Sequence, residues 1–226
     1  MKYKIAIDGA CRRNGKPDCV SAGATFIQRF NDDGILESSY VDGSIERCST
    51  NQRGELFALI KALSILVDTC KIEDTAIIVT DSEYIYNAMT KGWIASWEAK
   101  GYITAAGEDV KNADLWKFIG KLSNMIKCEI SYYHIKGHVL QFGKVTAKKL
   151  LQSDCTGRAF CTEFDTFYDT KLNEKTEAIE KAKELFKNNH DFDITDELIK
   201  DFITINAVAD TAATIFVEKA DSDTQS

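Results

Sequence analysis

The chain has 226 residues and a formal net charge of −7, with 44% hydrophobic and 28% charged residues. That length fits one medium domain or a small domain with an addition, and the composition excludes disorder, collagen-like repeats and low-complexity tracts. The acidic balance excludes a generally basic nucleic-acid coat, though not a nucleic-acid enzyme whose carboxylates hold metal.

In chain order, Lys2 to Ile7 alternates apolar and polar residues and predicts a strand, followed by a turn-rich stretch from Gly9 to Ser21. Ala22 to Phe30 and Ile35 to Asp42 are strand-like and joined by Asn31-Asp32-Asp33-Gly34, which gives three consecutive antiparallel strands. Thr50-Asn51 can cap a helix to about Thr69, whose Leu56, Leu59, Ile60, Leu63 and Val67 recur at helical spacing. Thr75 to Thr80 is short and nearly all apolar, as suits a buried parallel strand. Helices are predicted at Glu83 to Lys91, Trp93 to Lys100 and Asn112 to Ile126, and a last strand at Cys128 to Ile135. The order β-β-β-α-β-α-β implies an α/β fold, a five-stranded mixed sheet with helices on both faces. Beyond Gly137, helices are predicted at Asn173 to Asn189, Asp196 to Ile205 and Asn206 to Lys219, then a frayed acidic tail.

Met1 to Asp8 lacks the apolar stretch of a signal peptide, and no run of 18 apolar residues exists, so no membrane span is expected. Seven scattered cysteines and no leader favour reduced thiols and a cytoplasmic location. Cys155 and Cys161 with His134 or His138 leave a zinc site open, although the spacing is not that of a usual knuckle.

Asp8 closes the first strand and Asp81 the fourth. Adjacent strands lie about 4.8 Å apart, so both carboxylates would face one small volume, where a cation between them offsets their repulsion. Glu55, in the first turn of the long helix, can point there too. Taken singly, Glu55 is more often a helix-dipole partner, Asp81 an N-cap and Asp8 a turn residue, so the case rests on all three together with the surrounding words.

The surrounding words are more specific. Ile7-Asp8-Gly9-Ala10-Cys11 with Asn14, Thr50-Asn51-Gln52-Arg53-Gly54-Glu55-Leu56, Thr80-Asp81-Ser82-Glu83-Tyr84-Ile85, Gly92-Trp93-Ile94-Ala95-Ser96-Trp97, Val110 to Trp116, His134-Ile135-Lys136-Gly137-His138 and Asn206-Ala207-Val208-Ala209-Asp210 follow one another along the chain. In that order they resemble the motifs of the type I ribonuclease H family. The resemblance implies a ribonuclease H-like fold at 1–138 and 204–226, interrupted by a mostly helical insertion at 139–203.

It further implies that Asp8, Glu55, Asp81 and Asp210 hold two Mg²⁺ ions, with Mn²⁺ as a substitute, about 3.5–4 Å apart across the scissile phosphate. The reaction would be endonucleolytic hydrolysis of the RNA strand of an RNA–DNA hybrid, leaving 5′-phosphate and 3′-hydroxyl ends. His138 matches a proton-shuttling or product-releasing residue. Gly9, Cys11, Asn51 and Gln52 match the grip on the RNA strand, Asn14 and Thr50 a DNA phosphate pocket, and Trp93 an aromatic that packs on deoxyribose. The competing readings are an inactive binding module and a DNA nuclease of the same fold.

Two departures stand out. The stretch Trp97 to Asp109 carries one lysine and three acids where some relatives are strongly basic, leaving Lys91, Lys100, Lys111, Arg12 and Arg13 as phosphate-contact candidates. The 65 residues 139–203 carry 10 basic and 13 acidic groups and an aromatic-rich stretch from Phe160 to Tyr168. They predict a small elaboration beside the active-site loop, separable from the sheet, that serves as padding, a lid or a surface for a protein partner of an otherwise monomeric enzyme.

Overall fold

Alternation along the first strand decides the layering of this protein. Ile5 and Ile7 fall on one side and Ala6 on the other, and all three are fully buried, so the strand is covered on both faces. The computed structural model describes residues 1–47, 49–140, 173–189 and 194–222. Strands β1 (Lys2–Arg12), β2 (Val20–Phe30), β3 (Leu36–Arg47), β4 (Thr75–Thr80) and β5 (Glu129–His134) form one sheet in the order β3-β2-β1-β4-β5. The pairs β1–β2 and β2–β3 are antiparallel, whereas β1–β4 and β4–β5 are parallel.

One face carries α1 (Asn51–Thr69), with α2 (Glu83–Thr90), α3 (Trp93–Ala99) and α4 (Ala113–Met125) beyond it. Ile5, Ile7, Ile27 and Ile78 pack there against Leu56, Leu59, Leu63 and Leu66 of α1 and Trp116 and Ile119 of α4. Each fully buried side chain of this size contributes roughly 1.5–3 kcal/mol. Thr50 caps α1, its side chain accepting from the Arg53 N–H at 3.3 Å.

The opposite face is covered by α5 (Thr176–Asn189) and α6 (Asp196–Ser222). Ala6, Phe26 and Val79 meet Ile179, Ala182 and Phe186 of α5 and Ile199, Phe202 and Ile205 of α6. Further along, Ala24 meets Ala212 and Ala213. These small residues let the helix lie close to the sheet.

Four sequence expectations are corrected. The turn expected from Gly9 begins only after Arg12, because Gly9, Ala10, Cys11 and Arg12 stay paired with Gly23, Ala22, Ser21 and Val20. The third strand runs on to Arg47, still paired with β2. The break expected between residues 205 and 206 is absent: α6 is one 27-residue helix, because no glycine or proline interrupts Asp196 to Ser222. The division expected at 203/204 therefore falls inside a single rigid element. Finally, the described part of the elaboration does not merely flank the active-site loop; it packs on the sheet. Tyr133 of β5 stacks with Phe186 of α5 and Phe202 of α6 at 6.0 and 5.0 Å, so these helices complete the second core. The Phe160 to Tyr168 stretch and Cys155 and Cys161 lie outside the described residues.

Candidate active site

The parallel ladder between β1 and β4 ends at Ile7 and Thr80, and the next residues are Asp8 and Asp81. Asp8 stays in β1, paired with Ala24, so the antiparallel neighbour holds its backbone straight while the parallel neighbour turns away. The Ser82 side chain, not Asp81, caps α2, accepting from the Ile85 N–H at 3.5 Å. Asp81 is thereby excused from the N-cap role that its position suggested.

Glu55 reaches the same edge because α1 sits directly on the sheet. A Cβ on Gly9 would fall 2.4 Å from the Glu55 backbone nitrogen and 2.8 Å from its Cγ, and one on Gly23 would fall 2.3 Å from the Gly54 carbonyl oxygen. Only glycine permits that approach. Glu55 is then fixed at both oxygens: Asn51 Nδ2 donates to Oε1 at 3.0 Å and Ser82 Oγ donates to Oε2 at 2.6 Å. The sequence pattern did not single out Ser82; its place directly after Asp81 was the available signal.

Asp210 comes from the middle of α6 and accepts at Oδ2 from the ring of His138, whose Nδ1 lies 3.1 Å away. His138 is 67% exposed and sits on a loop with φ of +57°, outside the regular strand. The residue before it is also constrained: a Cβ on Gly137 would fall 1.9 Å from Asp81 Oδ2, so the loop backbone rests on that carboxylate. Gly137 is a second residue that motif reading named without giving it a role. His134 has a structural place, its Nε2 3.1 Å from the Asp81 carbonyl oxygen.

The electrostatics follow from this crowding. Burial, then the charges of Asp81, Asp210 and Glu55, push Asp8 well above the usual carboxylate range, against the pull of the Gly9 N–H. Burial also raises Glu55 and Asp81, with Asp210 adding to the rise at Asp81 and His138 and His134 opposing it. Asp8 Oδ1 accepts from Gly9 N at 2.6 Å, but its Oδ2 is buried without a hydrogen-bond partner among the described residues. A buried, unpaired carboxylate oxygen among other carboxylates is costly unless a cation binds there. The all-oxygen donor set fits a hard divalent ion. Among the described residues no three such side chains close into a ready-made cage.

The expected substrate contacts divide. Gly9 and Cys11 lie on β1 beside this edge, with Asn14 on the exposed turn after it; Thr50, Asn51 and Gln52 open α1. The Cys11 Sγ lies 2.8 Å from Cys19 Sγ, and burial with the Cys19 contact pushes its thiol up to about 12. Trp93 is half-buried and stands 5.8 Å from Trp97, which stands 5.5 Å from the fully buried Trp116. That aromatic ladder ties an outer ring to the core. Arg12 and Arg13 are corrected as phosphate-contact candidates: both pair with the buried Asp221 at the end of α6, Arg12 at 3.1 Å.

Comparison with known proteins adds an independent line. A sequence model of the RNase H family matches residues 1–154. A ribonuclease H of Thermus thermophilus is 36% identical over 137 residues, 61% of this chain and 74% of that protein. One from Zymomonas mobilis is 39% identical over 134 residues, 59% and 76% of the two chains. Among solved structures, LC9-RNase H1, a type 1 RNase H with the type 2 active-site motif, is similar with a TM-score of 0.50 at 21% identity. That match covers 61% of this chain and 64% of the other, just under two thirds of its length, and is a likeness of fold. The family match ends before Asp210, so it is the path of α6 that brings this fourth carboxylate to the edge.

Proposed function

The chain belongs to the ribonuclease H family, hydrolases that cut the RNA strand of RNA–DNA hybrids, and we propose that Asp8, Glu55, Asp81 and Asp210 carry that reaction here. The observation that carries the assignment is the buried, unpartnered Asp8 Oδ2 facing the charges of Asp81, Asp210 and Glu55. The family is divalent-metal dependent, and the hard oxygen set favours two Mg²⁺, with Mn²⁺ as a substitute. When bound, such ions neutralise the scissile phosphate and lower the pKa of the attacking water.

The chain's own residues supply orientation. Asn51 and Ser82 hold the Glu55 carboxylate at both oxygens, which limits its rotation. With Nδ1 on Asp210, the His138 ring has Nε2 left to carry a proton to or from solvent at an exposed position. The expected products are 5′-phosphate and 3′-hydroxyl ends. Asn51 donates one of its two amide N–H groups to Glu55, which fixes the amide and leaves its side-chain oxygen to accept from a ribose 2′-hydroxyl. Thr50 accepts from Arg53 and keeps its hydroxyl proton for a phosphate of the DNA strand. Residues 139–203 are an insertion in sequence within this catalytic unit, and their described helices share its second core. The four described thiols, all free, favour a reducing, cytoplasmic setting. Among the described residues, no helix is long and apolar enough to cross a membrane.

The test is cleavage of labelled RNA–DNA hybrid, double-stranded RNA and double-stranded DNA, with Mg²⁺ and with chelator. Only the hybrid with metal should be cut. Asp81→Asn should abolish turnover and retain hybrid binding. Absence of hybrid cleavage under any divalent metal would refute the reading.

A further inference from the structure

Beyond the carboxylates, the Lys136–Val139 loop has a second side. There it forms a cleft of about 490 Å³ with the start of α5, and Lys136, His138, Glu174, Lys175, Glu177 and Lys181 line it. The same loop borders both this cleft and the acidic edge. Gly137 rests on Asp81 and His138 contacts Asp210 from the same few residues.

The charges in and around the cleft are not equivalent. Lys181 pairs with Glu177 at 2.9 Å, and deeper in α5, Lys183 pairs with Glu180 at 2.8 Å and with Asp196 at 2.6 Å. Lys187 also pairs with Asp196, at 2.5 Å. Those cations are spent within the helices. Among the described residues, neither Lys136 nor Lys175 has a carboxylate at ion-pair distance, one from each wall of the cleft. The segment 139–203 is acidic as a whole, yet it presents an uncompensated cation here.

We propose that this cleft seats the sugar–phosphate backbone of the strand that crosses the carboxylates, with Lys136 and Lys175 on phosphates beyond the scissile one. The inference rests on the ribonuclease reading above. A strand whose phosphate lies on the acidic edge passes this loop on its way out of the site, and it carries one charge per ~3.4 Å of rise. Phosphates next to the scissile one therefore come within reach of the two lysines. The insertion so replaces, on a different side of the site, some of the grip that the acidic Trp97 to Asp109 stretch does not provide.

The test uses the full chain with a double substitution, Lys136→Ala and Lys175→Ala, each single substitution beside it, and Lys71→Ala as a control matched in charge to the singles. Lys71 lies just before β4, at the opposite end of the sheet from Asp81. Each phosphate contact gives a salt slope of ~0.7–0.9 in log affinity. Between 50 and 200 mM salt, the parent KM should climb about tenfold more than that of the double variant. The loss should appear in KM rather than kcat, with an unchanged melting temperature and a control that behaves as the parent. A parent-like salt slope in the double variant overturns the inference. So does saturable binding of inorganic phosphate that needs both lysines while the hybrid KM does not, because the site would then serve a free anion. A parent that cuts no hybrid overturns the ribonuclease reading instead.

Discussion

Gly137→Ala tests the central geometry with one methyl group. Its Cβ would fall 1.9 Å from Asp81 Oδ2, whereas real Cβ atoms essentially never come closer than 3.0 Å to a neighbour, so something must move by at least about 1.1 Å. Two responses are open. Either the Asp81 carboxylate swings off the edge, or the loop lifts and takes His138 away from Asp210. Both move a group assigned to the reaction. A displacement near 1 Å at a reacting centre can cost ~100-fold in rate, equivalent to about 2.7 kcal/mol of barrier. Global stability should change far less, because the clash is with the end of a side chain at a half-open site. The assay is steady-state hybrid cleavage with saturating Mg²⁺, beside thermal melting of the same preparation. A kcat within threefold of the parent would show that the loop does not rest on Asp81. A collapse in melting temperature would show that the contact is structural.

Asp8→Asn should raise the melting temperature at pH 7 in chelator, because folding holds the Asp8 carboxyl above its usual range. A raised carboxyl stabilises the fold when protonated, and that contribution is lost as pH rises through the folded value. The advantage of Asn should therefore vanish below the ordinary aspartate range near pH 4, and each kcal/mol relieved is worth ~2–4 °C; an advantage that persists in acid would refute the cause. Phe202→Ala, at a fully buried site shared with Tyr133 and Phe186, should cost ~3–5 kcal/mol, read by denaturant unfolding. A loss below 1 kcal/mol would restore the view that the second helical layer is separable. Ser82→Ala should lower kcat more than it lowers hybrid binding, since it frees one oxygen of Glu55 and removes the cap of α2; Ser82→Thr, which keeps the hydroxyl, should recover most of the loss.

The linear sequence determined the local elements and the chemistry on offer. Alternation in β1, the Thr50 cap, the leucine stripe of α1 and the apolar run of β4 are short-range patterns, and each produced the element it implied. The acids and the glycines beside them were legible as motif words because those residues answer to immediate neighbours: Gly9 exists for the Glu55 backbone packed against it. Tertiary structure alone decided the rest. Only the parallel pairing of β1 with β4 sets Asp8 next to Asp81. The role of Ser82 arises from α1 and α2 meeting at that edge. The reach of Asp210 depends on a helix that runs unbroken from Asp196 and packs its alanines on the sheet. The residues between His138 and Asp210 read as an acidic addition because charge counts carry no information about partners. Folded, their apolar residues cover the second face of the sheet, and pairing within the helices leaves a lysine facing the cleft beside His138. Long-range burial and ion pairing are properties of the fold, and no window of sequence contains them.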